Sequence, residues 1–120
     1  TEETLVAADF VGRVSGRNTP DKMERTGWTC KKAPSVNAPV FCELPMTLQC
    51  RVKQKIDESP TGYFLVGEIV GILCDEKYLG EDGNPDVEAM ELITYDPVHH
   101  TYIRIGGTVG KAFSDGKQLK

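Results

Sequence analysis

Hydrophobic positions along this chain keep a helical period at first and a strand period later, and the change falls where glycine and proline gather. Near the start, Leu5, Val6, Ala8, Phe10, Val11 and Val14 fit one broad helical stripe. Thr1 is placed to cap it, and Glu2 and Glu3 fall in the first turn, where acidic side chains suit the helix dipole. The pattern predicts a packing helix over Glu2 to Val14, broken by Gly16. A shorter helix is expected from Pro20 to Thr26, with Thr19 as N-cap, Pro20 as the first helical residue and Gly27 as terminator. Pro34, Pro39 and Pro45 then interrupt regular structure, leaving room for a brief strand over Val40 to Leu44.

The period then shortens to two. Met46, Leu48, Cys50, Val52 and Ile56 alternate with Thr47, Gln49, Arg51, Lys53 and Lys55, the mark of a half-buried strand. Asp57 to Gly62, with Pro60, reads as a turn, and Tyr63 to Cys74 follows as a strand apolar on both faces apart from Glu68. A strand of that kind is expected to be central in its sheet. Gly62, Gly67 and Gly71 within it permit strong coiling or close approach of another backbone, as a small barrel requires. Glu81 to Pro85 is a turn cluster. A short helix is expected over Asp86 to Leu92, a third strand over Thr101 to Ile105, and a polar tail after Gly106.

The length of 120 residues suits one domain, residues 1 to 120, with one core. A net charge of −4 and a pI near 5.1 supply no dominant basic field, which argues against a general nucleic-acid or anionic-membrane binder. The two leading helices have a helix-turn-helix shape, but the acidity and the short second helix disfavour DNA recognition. Apolar runs such as Phe64 to Val66 and Ile69 to Leu73 are far shorter than a membrane span, and no secretory leader pattern opens the chain, so a cytoplasmic setting is expected. The chain begins with Thr1 rather than Met, which suggests part of a longer product.

Little of the metal or nucleophile chemistry is encouraged. Cys30, Cys42, Cys50 and Cys74 contain no Cys-x-x-Cys pair, and Cys50 and Cys74 fall within strands, where a thiol acts as a small apolar group. His99 and His100 are adjacent and on a strand would point to opposite faces, so they are poor joint ligands. Asp82-Gly83-Asn84 lacks the loop length and closing Glu of a calcium loop and reads as a solvated turn.

Residues 14 to 22, Val-Ser-Gly-Arg-Asn-Thr-Pro-Asp-Lys, carry more. They set the Ser15 hydroxyl, flexible Gly16, the Arg17 guanidinium and the Lys22 ammonium beside the helix beginning at Asp21, a collection suited to a phosphate. On spacing alone, an ordinary capped surface helix with solvated charges is the more economical reading.

The order of segments adds a resemblance. Asp9-Phe10-Val11-Gly12, Ser15-Gly16-Arg17 with Asp21-Lys22, Ala38-Pro39, Leu48-Gln49-Cys50-Arg51-Val52, Phe64-Leu65-Val66-Gly67-Glu68-Ile69-Val70 and Tyr102-Ile103-Arg104-Ile105-Gly106-Gly107 together resemble the flavin reductase-like family of FMN-binding split barrels. The match runs through nearly all of this chain and corresponds to the C-terminal two-thirds of such a domain. It implies a mainly β fold with short helices, a split β-barrel lacking its N-terminal strands. It also implies FMN near the interface of a homodimer, with NAD(P)H as reductant and free flavin, iron or a redox protein as acceptor.

Carried over by residue, the resemblance makes Ser15, Gly16, Arg17 and Lys22 the phosphate side, with Asp21 orienting Lys22 or the helix start. Trp28 is a candidate aromatic wall, and His100 or Tyr102 reaches the flavin ring or a nicotinamide across the dimer, although packing roles for Trp28 and Tyr102 compete. No catalytic acid or base is required, because the flavin takes the hydride and the protein binds and orients it. Two other functions stay open: an FMN-binding electron-transfer protein without its own NAD(P)H activity, and a non-catalytic dimerisation or interaction module.

Overall fold

The computed structural model describes residues 1–59 and 62–119. Helix α1 spans Leu5–Arg13, and a single turn, α2, spans Lys22–Arg25. Both are shorter than the apolar stripe predicts. Thr4 rather than Thr1 precedes α1, and Glu2 and Glu3 lie outside it. Gly27, at φ +70°, ends the α2 segment as expected, its N–H bonded to the Glu24 carbonyl at 3.1 Å.

Strand β1 (Cys30–Lys32) pairs antiparallel with β2 (Pro39–Phe41), so the proline-rich region forms a small hairpin, of which the pattern revealed only the second arm. Strands β3 (Met46–Ser59) and β4 (Gly62–Cys74) form a long antiparallel ribbon. Pro60, of the expected turn, lies outside the described residues. Strand β5 (Ile93–Asp96) pairs with β6 (Thr101–Arg104) in a third hairpin.

Asp86 to Leu92 is a series of turns rather than a helix. The Asp86 carboxylate accepts the N–H groups of Glu88 and Ala89, both at 3.0 Å, and Glu91 takes a left-handed φ of +49° that redirects the chain into β5. Ten residues after the strand Thr101–Arg104, the chain makes a 3-10 turn, Asp115–Leu119.

The described residues thus form three separate two-stranded sheets, and no closed barrel. Strand β4 pairs with β3 alone among them, so its two-sided apolar pattern does not make it central within this chain. The ribbon's register shifts where Val70, Lys53 and Glu58 each lack a partner across the ladder. The shift at Lys53 transfers Ile56, opposite Phe64, to the other face from Val52, opposite Gly67. One face therefore presents Leu48, Val52, Leu65, Ile69 and Ile72, and the other carries Arg51, Glu68, Ile56 and Phe64. At the base of the second face, buried Gln49 accepts the Ser35 N–H at 2.9 Å and fastens the β1–β2 region to the ribbon.

The core is small. Among the described residues, Ala33 and Met90 are the buried members of the hydrophobic set, while most large apolar side chains of β3 and β4 are exposed. The accessible surface is 9659 Å², against about 6400 Å² for a compact monomer of this mass. The radius of gyration is 17.5 Å, against about 13.6 Å for a compact domain of this length. No helix is long and apolar enough to cross a membrane among the described residues.

Candidate functional site

The turn after α1 is built by Ser15. Its carbonyl accepts the N–H groups of Asn18 (3.1 Å) and Thr19 (2.9 Å), and its Oγ accepts the Arg17 N–H at 3.2 Å. These bonds leave the Ser15 hydroxyl proton available for donation. The Arg17 side chain is exposed and has no ion pair or hydrogen-bond partner among the described residues. Lys22 closes the turn from the far side, and a Cβ placed on Gly16 would lie 3.8 Å from Lys22 Cε. Ser15, Gly16, Arg17 and Lys22 therefore share one small region.

Lys22 also has a task that the spacing does not reveal. Its Nζ donates to the carbonyl oxygens of Val11 at 2.9 Å and Val14 at 3.1 Å, satisfying orphan acceptors at the end of α1. Two of its three donors are thereby engaged, leaving one for a ligand. Asp21 does not orient Lys22. It pairs with Arg25 one turn later, at 2.9 Å, and that hydrogen bond holds the Asp21 carboxyl below the usual range. It makes no side-chain cap, and Thr19 is not the N-cap either, so a one-turn α2 offers little helix dipole. The capacity for an anion lies in side chains: Arg17, the Ser15 hydroxyl and the remaining Lys22 donor.

The aromatic candidates lie elsewhere. Trp28 tilts against Phe41 with ring centroids 5.6 Å apart, and it lines a groove of about 410 Å³ with Val6, Ala7 and Phe10 of α1. Tyr102 approaches α1 from β6, donating its hydroxyl to Asp9 at 2.8 Å. That bond favours the protonated phenol and raises the Tyr102 pKa. At 100° per residue, the α1 positions facing Trp28 and those facing Tyr102 are separated by roughly a third of the helix circumference. Trp28 and Tyr102 consequently do not form one wall within a single chain.

His99 and His100 occupy the turn between β5 and β6 rather than a strand. His100, at φ +54°, places Nδ1 2.7 Å from the Tyr95 hydroxyl, and the Tyr95 ring contacts Tyr102 with centroids 5.6 Å apart. His99 Nδ1 lies 2.6 Å from Asp96, whose pKa is lowered first by that bond and then by the Val98 N–H. Asp9 and Tyr95, which support Tyr102 and His100, escape sequence reasoning because each is an ordinary helix or strand residue. Asp9 is 93 positions from its partner.

The residues fit a phosphate, since Arg17, whose guanidinium is unpaired among the described residues, follows Ser15 by two positions in a turn that Lys22, with one donor to spare, closes. They do not enclose a ring system within one chain.

No family model and no curated protein matches this chain. Among solved structures it is similar to the flavoredoxin of Desulfovibrio vulgaris (Miyazaki F), with 31% identity and a TM-score of 0.87 over 97% of this chain and 61% of that one. Flavoredoxin from Methanosarcina acetivorans is 30% identical, with a TM-score of 0.80 over 93% and 57% of the respective chains. Nitrilotriacetate monooxygenase component B from Bacillus cereus shares the fold at 18% identity, with a TM-score of 0.68 over 89% and 54%. The chain spans about three-fifths of the length of the two flavoredoxins, and over that span it has their fold.

Proposed function

We propose that this chain is the FMN-binding portion of a flavin-dependent oxidoreductase that works as a homodimer. Electrons pass from NAD(P)H through FMN to free flavin, iron or a redox protein. The observation carrying this reading is the unpaired Arg17 beside Ser15 and Lys22, in a chain with the flavoredoxin fold. FMN, when bound, supplies the two-electron chemistry. Arg17 grips the phosphate, Ser15 donates its hydroxyl, and Lys22 adds its third N–H while holding the end of α1. Trp28 and the Tyr102–His100 pair serve different surfaces, and the dimer lets a ring bound to one copy meet an aromatic side chain of the other. The missing barrel strands belong to the same proposal, because the described strands close no barrel.

The test compares FMN with riboflavin. Arg17→Ala should weaken FMN about tenfold to a hundredfold, as loss of a charged hydrogen bond does, and leave riboflavin unchanged. Equal loss for both ligands would assign Arg17 to structure. If the native protein binds neither ligand, the flavin reading fails.

The resemblance to two flavoredoxins at 31% and 30% identity, against 18% for the monooxygenase component, favours a second reading, an electron carrier without NAD(P)H activity. Rapid mixing of the FMN-loaded protein with NADH separates the two. A flavin reduced by NADH supports the reductase, and one that stays oxidised until a redox protein is added supports the carrier.

A further inference from the structure

Two Asp-Gly dipeptides, Asp82-Gly83 and Asp115-Gly116, lie outside the candidate phosphate turn. Such a pair can react with itself. The glycine nitrogen attacks the aspartyl Cγ, the N–H proton and the carboxyl hydroxyl leave as water, and a cyclic succinimide closes. Glycine favours the step because no Cβ obstructs the approach. Water then reopens the ring. Cleavage at the γ-carbonyl restores aspartate, and cleavage at the α-carbonyl leaves the main chain running through Cγ, an isoaspartate with a free α-carboxylate. The water lost is the water regained, so no co-reactant enters. The reaction needs a carboxyl free to turn toward the nitrogen and a nitrogen free to lose its proton.

The two sites differ in both respects. At the first, Asp82 Oδ1 accepts the Asn84 N–H at 3.0 Å and Oδ2 accepts the Asn84 side-chain amide at 2.8 Å, while the Gly83 N–H is held by the Gly80 carbonyl at 2.9 Å. The Asn84 amide also lowers the Asp82 pKa, and the ionised carboxylate has no hydroxyl to give up. At the second, Oδ2 of Asp115 accepts the Lys111 N–H at 2.7 Å, but Oδ1 and the Gly116 N–H have no partner among the described residues. Asp115 and Gly116 are exposed in a short 3-10 run, a helix type with poor hydrogen-bond geometry.

We infer that Asp115-Gly116 is a site of spontaneous isoaspartate formation in the folded protein, and that Asp82-Gly83 is held inert by Asn84 and Gly80. This goes beyond the flavin reading and does not depend on it. The contacts that separate the two sites are local, within residues 80–84 and 111–116. The product has a structural consequence. Turning the Asp115 carboxylate into a main-chain amide removes the charged acceptor of the Lys111 N–H and inserts a carbon into the chain, which releases the turn leading into the 3-10 run.

The test follows both sites in one sample. The native chain is aged in warm, mildly acidic buffer and digested with trypsin, and isoaspartate is assigned by electron-transfer fragmentation of peptides 78–104 and 112–117. Asp115 should convert about thirtyfold faster than Asp82, the ratio expected when Asp82-Gly83 has two further hydrogen bonds to break. In denaturant the two rates should converge, since the dipeptides are alike. Asn84→Ala frees both Asp82 oxygens and should raise conversion there about tenfold, with Asp115 unchanged. The space around Gly116 is open, so Gly116→Ala should keep the turn and suppress conversion at Asp115. Folded Asp82 converting as fast as Asp115, or Asp115 converting only in denaturant, overturns the inference. An Asn84→Ala protein in which Asp82 stays inert overturns the shielding of that site.

Discussion

The ribbon and the first helix are held in contrasting ways. The 14 residues of β3 and 13 of β4 meet through a backbone ladder, whose bonds any residue except proline can supply. Helix α1 depends instead on individual side chains. Lys22 holds its carbonyl end, Tyr102 reaches Asp9 at mid-helix, and Arg104 pairs with Glu2 just before it begins. Local period therefore specifies the ribbon, and partners remote in sequence specify the placement of the helix. Ligand chemistry gathers at the second kind of region, where charged and hydroxyl groups already converge.

The contrast breaks most sharply where the ribbon does rely on one side chain. A Cβ on Gly71 would lie 2.7 Å from Gln49 Nε2 and 3.2 Å from Ser35 Oγ, and Gln49 is buried and committed to the Ser35 N–H. Gly71→Val should cost about 2–3 kcal/mol by overpacking, measured by denaturant unfolding. Gly67→Ala, where the nearest atom is Cys50 Cβ at 3.3 Å, should cost less.

A smaller effect is expected at Lys22. Lys22→Met keeps the aliphatic stem and removes the donors to Val11 and Val14, which should destabilise the protein by about 1 kcal/mol. Arg17→Ala should change stability by less than about 0.5 kcal/mol, because the Arg17 side chain has no partner to lose. Equal losses in the two unfolding curves would erase the distinction between anchor and ligand group.

The smallest effect is spectroscopic. Asp9 raises the Tyr102 pKa, so its contribution to stability is full below the ordinary tyrosine range and is lost as pH rises through the folded-state value. Asp9→Ala should move Tyr102 ionisation to lower pH, seen in tyrosinate absorbance. An unchanged titration would remove Asp9 from the support of Tyr102.

What the sequence reveals follows the same division. Met46 to Cys74 reads as two strands because alternation and glycine spacing are local, and Gly27 ends its turn because a positive φ favours glycine. The β1 and β5 arms are missed because Cys30–Lys32 and Ile93–Asp96 are too short to show a period and exist through their partners. The candidate phosphate residues are visible as a cluster of donors. The division of Lys22 between helix and ligand, and the turning of Asp21 toward Arg25, depend on side-chain directions that spacing does not encode.

The unpaired Lys53 gives the ribbon a phase. Residues before it and after it count from different origins, so an even-numbered position is apolar-side at Val52 and opposite-side at Ile56. Most shortenings of this hairpin must therefore remove residues in matched pairs across the ladder, and Lys53 is an exception. Excising it alone would run the ladder on without a break from Val52–Gly67 to Gln54–Val66 and keep Ile56 opposite Phe64, on the face away from Val52.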